Sequence, residues 1–298
     1  MEPSISVALC ADKNFEVGLH VTLYSLLESQ SKMIKIFLLL IGQHVCDVPL
    51  IHKTLEPFSG NFELEVICLD DSMFRGYRGL HGSHCPYIRL MLPNILSGER
   101  VIYLDCDLIV QKDLCGLYNE NLNGYALGVA GVERIEDSLE LNFFESLGFN
   151  REAKYFNSGV ILIDLDKWRE TDIIQRSIEF ANKYPTKLKT ADQTILNYLF
   201  YEDNFLEIDS SYNVAIYPGA KSIINNQEMN IYHFMGSPKP WDFFGEVLHG
   251  NYDLFHSFLS KTAMKHYKSY NNISAKRVKR SAWLSRSYLL CIKNRLLS

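Results

Sequence analysis

Two aspartates one residue apart follow an apolar stretch in the first half of the chain. The segment VIYLDCDLIV covers residues 101–110, and Asp105 and Asp107 stand where its first apolar run stops. Alternate side chains of an extended chain point to the same side, so both carboxylates would face one point. Carboxylates held that close repel one another, and such a pair usually holds a cation. Because α/β folds bind ligands at the carboxyl ends of their strands, the pair indicates a metal-assisted site.

Two other interpretations fit a strand that ends in DxD. One is a solvated strand–loop junction without chemistry. The other is a haloacid-dehalogenase-type phosphatase, in which the first aspartate is a nucleophile. That class carries its motif near the N-terminus and needs a later Gly-Asp, whereas roughly a hundred residues precede Asp105 and no Gly-Asp dipeptide occurs. The absence of GxxxxGK, GxGxxG, HExxH and GxSxG also disfavours P-loop, dinucleotide-binding, zincin and α/β-hydrolase chemistry.

The length fits one large α/β domain or two small ones, and the composition is that of a soluble globular protein. The 298 residues are 47% hydrophobic and 22% charged, which is ordinary for a globular protein. The seven cysteines form no CxxC pair, so we expect reduced thiols in a cytoplasmic protein rather than a zinc ribbon. The first residues lack a basic region followed by an apolar one, and we therefore expect no signal peptide.

Apolar segments of strand and helix type alternate along the chain. We predict strands at 5–11, 34–41, 64–69, 100–104, 125–132 and 160–165. We predict helices at 15–28, 47–57, 87–96, 138–147, 166–184 and 191–200. This order is typical of an α/β fold, a single Rossmann-like domain with a central mixed, mostly parallel sheet.

Six segments together resemble glycosyltransferase family 8, especially its bacterial lipopolysaccharide and lipooligosaccharide glucosyl- and galactosyltransferases. They occur in the family's order and spacing and span residues 8–241. DxD alone is weak, but its combination with FNSGV, DQ and HFxGxxKPW is highly specific. The matching segments are ALCADKNF (8–15), YIRLMLP (87–93), VIYLDCDLIV (101–110), YFNSGVILIDLDKWR (155–169), ADQTILNYLF (191–200) and IYHFMGSPKPW (231–241).

The resemblance implies a GT-A fold, a UDP-sugar donor, a divalent cation and retention of anomeric configuration. It places Asp105, Asp107 and His233 around the metal. Two carboxylates and an imidazole suit manganese better than magnesium, which prefers all-oxygen ligands, although magnesium stays an alternative. The metal would bind the diphosphate and neutralise charge on departing UDP.

The resemblance also implies a set of donor-binding residues. Asp12 would accept the uracil N–H and Phe15 would stack on the ring, unless Phe15 is simply core. Arg89 would face the donor sugar and the first aspartate, and Asn157 would bond a sugar hydroxyl. The full implied set is Ala11, Asp12, Asn14, Phe15, Arg89, Asp105, Cys106, Asn157, Asp192, Gln193, Gly236 and Lys239. In this set Gly236 lets the backbone approach phosphate and Lys239 adds a positive charge.

The catalytic candidates are Gln193, Asp192 and Asp107. Asp192 would bind donor hydroxyls, although a carboxylate at a helix N-terminus is also a common cap. Gln193 would lie beneath the anomeric carbon. Retention can proceed through a covalent intermediate or through a front-face route in which the departing phosphate deprotonates the acceptor. A neutral amide is a poor nucleophile, which favours the front-face route, but the sequence leaves both open.

One departure from the family bears on substrate choice. Within LGVAGVERIE (127–136), related galactosyltransferases carry an aspartate beside acceptor and donor, where this chain has Gly131 and Val132. We therefore predict transfer of a hexose from UDP-glucose or UDP-galactose to an oligosaccharide or glycolipid of the cell surface, without choosing between the two sugars. The alternatives are a glycogenin-like priming transferase and a non-catalytic UDP-sugar-binding protein.

The charges separate along the chain. No acidic residue follows Asp253, so residues 1–260 carry a formal −15 and residues 261–298 carry +10. We expect a catalytic domain at 1–260 and a basic amphipathic tail at 261–298 that binds anionic membrane on its cytoplasmic face. Its predicted apolar stripe is Val278, Ala282, Leu289, Ile292 and Leu296, with Trp283 and Tyr288 at the interface and Lys276, Lys279, Arg280, Arg286 and Lys293 around it. The alternative is a helix docked on the acidic body, and no nucleic-acid motif accompanies the basic run.

Overall fold

The computed structural model describes residues 5–42, 46–80, 83–202, 204–223, 229–271, 278, 282 and 284–297. Twelve strands lie in these ranges: β1 Ile5–Ala11, β2 Ile34–Ile41, β3 Phe62–Leu69, β4 Arg100–Leu104, β5 Leu108–Val110, β6 Leu127–Val129, β7 Val132–Arg134, β8 Lys154–Phe156, β9 Val160–Asp164, β10 Leu206–Glu207, β11 Val214–Ile216 and β12 Ile231–Phe234. The helices are α1 Glu16–Ser29, α2 Val48–Leu55, α3 Leu92–Ile95, α4 Cys115–Tyr118, α5 Leu141–Ser146, α6 Leu165–Glu170, α7 Ile173–Lys183, α8 Asp192–Leu199, α9 Gly245–Leu248, α10 Tyr252–Leu259 and a last described helix, Ser285–Leu297.

A seven-stranded sheet forms the centre, in the order β10-β6-β9-β4-β1-β2-β3. Strands β4, β1, β2 and β3 run parallel, and β10 runs parallel to β6, whereas β9 is antiparallel to both of its neighbours. The predicted α/β fold with a central mixed, mostly parallel sheet is confirmed. The near-continuous apolar sequence of β2 follows from this position, since a central parallel strand is covered on both faces.

Each face of the sheet has its own core. Ala8 and Cys10 of β1 pack into one cluster with Tyr103, while the alternate residues Val7 and Leu9 pack into the other. The period of two along the strand thus divides the buried side chains between two helical layers. All four parallel central strands end at the same edge of the sheet, and the site residues follow there.

A small second sheet closes this edge. Strand β12 pairs antiparallel with β5, and His233 lies opposite Leu108 in this pairing. Strand β11 runs parallel to β12 on its other side. Because β5 begins directly after Asp107, this pairing brings the HFMGSPKPW segment to the DxD.

Several predicted elements differ from the structure. The single helix expected at 166–184 is two helices, α6 and α7, separated by Asp172 in a left-handed conformation with φ 52°. The strand expected at 125–132 ends at Val129, and Gly131, with φ +77°, separates it from β7. The helix expected at 87–96 begins as a 3-10 helix, Cys85–Met91, and becomes α-helical only in α3.

The predicted tail divides into two parts. Residues 261–271 pack on the body: Lys261 Nζ lies 2.8 Å from Glu28 Oε1, and the Ala263 N–H donates to Thr54 Oγ1 at 3.1 Å. The domain division at residue 260 stays a prediction.

Leu284, just before the last described helix, is buried, and the helix itself buries Cys291 and leaves Leu289 and Ile292 exposed. Val278, Ala282, Arg286 and Lys293 are also exposed, and Tyr288 is half-buried. Lys276, Lys279, Arg280, Trp283 and the side chain of Leu296 lie outside the described residues. Among the described helices, none combines the length and apolarity needed to cross a bilayer.

Candidate active site

The DxD lies where β4 leaves the sheet. The Asp105 N–H donates to Gly159 O at 2.8 Å, so the first aspartate still continues the pairing of β4 with β9. The carboxylates of Asp105 and Asp107 face the same side, as predicted. Between them Cys106 turns away and is buried, with its thiol 3.1 Å from Cys10 O. Only the backbone of Cys106 therefore remains for the donor contact expected of it.

His233 of β12 completes a set of three metal-ligand side chains. Its Nε2 lies 3.1 Å from Asp107 Oδ1 and 3.9 Å from Asp105 Oδ2. One ligand atom from each of the three residues lies within 4.8 Å of the others. Asp105 is partly exposed while Asp107 and His233 are buried, so a bound cation would be reached from the Asp105 side.

The hydrogen bonds around His233 leave Nε2 for a cation. Asn213 Nδ2 donates to Asn157 Oδ1 at 2.9 Å, so Asn213 Oδ1 faces His233 Nδ1, 3.0 Å away, and must accept its proton. The Nε2 lone pair of a neutral imidazole then faces Asp107 Oδ1, a buried atom without a hydrogen-bond partner. The facing lone pairs of His233 Nε2 and Asp107 Oδ1 repel each other. Either a second proton on the ring or a cation bound to both atoms removes this repulsion. These residues therefore fit a divalent metal.

Gly159 explains the glycine of FNSG. A Cβ at this position would lie 2.3 Å from His233 Cε1 and 2.6 Å from His233 Nδ1. Contacts this short do not occur, so any side chain at 159 would displace the imidazole from Asp107. The FNSG and HFMG segments thus fit together only because residue 159 has no side chain.

Lys239 forms a buried ion pair with the second aspartate. Its Nζ lies 2.6 Å from Asp107 Oδ2 and also donates to Phe234 O. Burial alone would raise the pKa of Asp107, but the adjacent Lys239 ammonium acts in the opposite direction, and that pKa is held below its ordinary range. The Lys239 ammonium thus already binds Asp107. The predicted contact of Lys239 with phosphate would have to form beside this ion pair.

Arg89 connects three of the motif segments. It is 2% exposed, its Nη2 donates to Asp105 Oδ1 at 2.7 Å, and its Nη1 donates to Ser158 O. Its Nε lies 2.7 Å from Asp192 Oδ2, and the guanidinium lies over the Tyr103 ring. The predicted contact of Arg89 with the first aspartate is present.

Asp192 lies fully inside the protein. Burial raises its pKa to about 7 although Arg89 acts in the opposite direction, and Asp105 adds to the rise. Its side chain faces Arg89 rather than open space. Arg89 thereby holds two carboxylates, one at the DxD and one at the start of α8.

Gln193 and Asn157 lie together at the site. Asn157 Nδ2 donates to Gln193 Oε1 at 3.0 Å, and the Ser158 N–H donates to the same oxygen at 3.2 Å. Asn157 Oδ1 accepts from Asn213, so the amide set is continuous with the candidate metal ligand His233. The structure thus brings the FNSG, DQ and HFMG segments together, as the sequence predicts.

The residues after β1 form a local turn. Asp12 Oδ1 accepts from the Asn14 N–H at 2.8 Å, and its Oδ2 accepts from Asn14 Nδ2 at 2.9 Å. Phe15 packs edge-on against Trp241, with 5.9 Å between ring centroids. Ala11 is fully buried, and Gly236 is exposed. Their roles toward uracil, ribose and phosphate stay predictions.

Comparison with known proteins decides the family. A family model described as glycosyl transferase family 8 matches residues 6–245, most of the chain. The chain belongs to glycosyltransferase family 8. It is 26% identical over 276 residues to General stress protein A of Bacillus subtilis strain 168, covering 86% of this chain and 93% of that protein. It is 28% identical over 173 residues to lipopolysaccharide 1,2-glucosyltransferase of Escherichia coli K12, covering 53% of this chain and 49% of that protein.

Solved structures confirm the fold of this family 8 glycosyltransferase. Galactosyltransferase LgtC, solved in complex with donor and acceptor sugar analogs, superposes with a TM-score of 0.71 at 22% identity. The match covers 93% of this chain and 100% of that one. The predicted GT-A fold and the predicted membership in family 8 are confirmed. A glycosyltransferase of this kind uses a nucleotide-sugar donor and a glycan acceptor.

The site of this glycosyltransferase contains residues that sequence reasoning missed. Asn213 connects the candidate metal ligand His233 to Asn157, yet it lies in no recognisable motif. Gly131 gives it room: a Cβ there would lie 3.1 Å from Asn213 Nδ2, and φ is +77°. Tyr155, whose hydroxyl accepts from Gln193 Nε2, and Glu140, which accepts from that hydroxyl, were also missed. Tyr155 opens the FNSG-containing segment, whereas only tertiary packing brings Asn213 and Glu140 to the site.

Proposed function

We propose that this glycosyltransferase moves a glucose or galactose residue from a UDP-sugar to a cell-surface glycan or glycolipid, with retention and with a divalent metal, preferably manganese. The convergence of Asp105, Asp107 and His233, with one ligand atom from each within 4.8 Å of the others, carries this proposal. When bound, such a cation neutralises the diphosphate leaving group. The names of the relatives support the substrate class, since one is a lipopolysaccharide glucosyltransferase and another a galactosyltransferase.

The protein's own residues would act by holding the cation and by orienting the donor sugar. Asp105 and Asp107 would hold the cation, while Arg89 binds Asp105 Oδ1 and Lys239 binds Asp107 Oδ2. Asn157 would bond a donor hydroxyl from its position beside Gln193. Preorganised dipoles and charges of this kind stabilise developing charge without reorganisation during the reaction.

The positions of Gln193 and Asp192 favour the front-face route to retention. Gln193 offers a neutral amide oxygen, which stabilises positive charge at the anomeric carbon but is a poor nucleophile. The carboxylate of Asp192 is paired with Arg89, and its pKa is raised to about 7 by burial. In the front-face route the departing phosphate accepts the acceptor's proton, so neither side chain needs to form a covalent bond.

We also propose that the enzyme acts at the cytoplasmic face of a membrane, as a peripheral protein. Residues 261–298 carry a formal +10, and Leu289 and Ile292 expose apolar surface in the last described helix. Basic residues beside exposed apolar ones favour an anionic bilayer.

A donor screen tests the enzymatic proposal. The purified protein is incubated with UDP-glucose or UDP-galactose, with manganese, magnesium or EDTA, and released UDP is measured. We expect turnover with at least one donor, highest with manganese and lost in EDTA. Binding without UDP release would support a non-catalytic sugar-nucleotide-binding protein. Sugar incorporated into the protein itself would support the glycogenin-like alternative.

Liposome sedimentation tests the membrane proposal. The exposed pair Leu289→Asp and Ile292→Asp should weaken binding to vesicles containing anionic lipid, whereas Met73→Asp, at another exposed apolar site, should not. Raised salt should also weaken wild-type binding, because it screens surface charge. Equal sedimentation of wild type, of the double variant at Leu289 and Ile292 and of Met73→Asp at all salt concentrations would contradict membrane binding through this helix.

A further inference from the structure

A carboxylate outside the metal set is buried close to the site. Glu140, immediately before α5, has no exposed surface. Its Oε1 accepts from Thr194 Oγ1 at 2.7 Å and from the Lys189 N–H at 3.1 Å. Its Oε2 accepts from the Tyr155 hydroxyl at 2.8 Å and from Thr190 Oγ1 at 2.7 Å. Both oxygens act only as acceptors, as an ionised carboxylate does.

The Tyr155 hydroxyl connects this carboxylate to Gln193. Gln193 Nε2 donates to it at 3.0 Å, and Gln193 Oε1 accepts from the Ser158 N–H at 3.2 Å. A backbone N–H can only donate, so the Gln193 atom that faces Ser158 must be the oxygen, and the nitrogen must face Tyr155. Because the Tyr155 proton goes to Glu140, its oxygen offers lone pairs to that nitrogen. Each bond fixes the direction of the next.

We propose that Glu140 is a positioning residue for sugar transfer, acting through Tyr155 on Gln193. The network holds the Gln193 amide in one orientation, with its oxygen on the side of Asn157. Hydrogen bonds in a chain polarise one another, so the charge of Glu140 adds electron density to Gln193 Oε1. This would strengthen its interaction with positive charge at the anomeric carbon. The inference rests on the proposed function, which places Gln193 beneath that carbon.

The composition of the network favours positioning over a purely structural role. Burying a carboxylate costs more than filling the same space with apolar side chains, and many proteins would gain stability from the replacement. The four donors to Glu140 come from β8, from the segment that leads into α8 and from α8 itself, the elements that carry Asn157 and Gln193 toward the site. Gln193 is the half-buried end of the chain of bonds that starts at Glu140.

The variant Tyr155→Phe removes the acceptor for Gln193 and keeps the ring. We expect kcat for UDP release to fall about ten-fold, as expected for one lost hydrogen bond in a charged network. UDP affinity measured by calorimetry with manganese should change less than about two-fold, because the diphosphate side of the site is untouched. Tyr87→Phe is the matched control, since Tyr87 is equally buried and its hydroxyl donates to Arg78 O at 2.7 Å instead.

A double-variant cycle separates positioning from structure. In a Gln193→Ala background Tyr155→Phe should cause no further loss of kcat, because its target is already gone. Glu140→Gln should lower kcat in wild type and likewise not in that background. Additive losses, or wild-type kcat in Tyr155→Phe, would overturn the proposal.

An NMR measurement that does not depend on turnover tests the hydrogen-bond network separately from the proposed function. The Gln193 side-chain NH₂ signals in a ¹⁵N correlation spectrum are assigned by their absence in Gln193→Ala. They should shift in Tyr155→Phe and Glu140→Gln but not in Tyr87→Phe. Unmoved signals would refute the network even if the enzyme is active. Failure of wild type to release UDP would refute the proposed function while the spectrum still decides the positioning.

Discussion

The buried pair of Asp107 and Lys239 makes Asp107→Asn an informative change. The substitution keeps the shape but removes the anion that lies 2.6 Å from the Lys239 ammonium. Lys239 is 3% exposed, so its charge would stay out of water without a counter-ion. Breaking a buried pair by removing one partner costs about 3–5 kcal/mol. At about 2–4 °C per kcal/mol for a chain of this size, the melting temperature should fall by roughly 6–20 °C.

Thermal unfolding of four proteins measures this cost. Wild type, Asp107→Asn, Lys239→Met and the double variant form a cycle in which only the single variants leave an unpaired charge. We expect each single variant to lose stability and the double variant to recover most of it, while metal-dependent UDP binding stays lost wherever Asp107 is replaced. Asp209→Asn is the control, since Asp209 is exposed and lies 3.9 Å from Lys112, and this variant should unfold like wild type. Single variants as stable as that control would refute a buried charge pair.

Three further changes test other parts of the molecule. Asn213→Ala removes the acceptor for His233 Nδ1 and should weaken manganese-dependent UDP binding about 10–100-fold in calorimetry; unchanged affinity would contradict its role. Gly159→Ala places a methyl 2.3 Å from His233 Cε1 and should abolish that binding while the far-ultraviolet circular dichroism is retained. Burial lowers the pKa of His20 to about 4, so between about pH 6.5 and 4 the unfolded chain binds a proton that the folded chain does not, and stability is lost as pH falls through this window. His20→Gln should flatten this decline by roughly 3 kcal/mol in urea unfolding, whereas exposed His52→Gln should not; identical pH profiles would show that His20 is not the cause.

The central sheet was predictable because its strands are long, apolar and bounded by polar turns. The sequence of β2 and the DxD after β4 define the sheet edge without tertiary information. The short strands β10, β11 and β12 were not predicted, because two to four residues carry too little periodicity for a pattern to register. The break at Asp172 was missed since no glycine or proline marks it; the left-handed residue there is an aspartate, which tolerates that conformation.

Some residues of the candidate site could likewise be predicted from the sequence, and others could not. Asp105 and Asp107 could be inferred from spacing, and His233 required the resemblance to a family. Glu140 could not have been found, because a glutamate beside a predicted helix is far more often solvated than buried. Its burial depends on how β8 and α8 pack against α5, which no local pattern encodes.

The pairing of β12 with β5 also determines when the candidate active site can assemble during synthesis of the chain. Asp107 and Lys239 are 132 positions apart. At ribosomal speeds of about 5–20 residues per second, roughly 7–26 seconds separate the appearance of the aspartate from that of its partner. Until then Asp107 has neither its lysine nor its histidine and is best satisfied in water, while Asp105 already has Arg89. Closure of this edge is therefore a late step for the nascent protein, and a stalled chain that ends before β12 would present a largely complete sheet with an open acidic end.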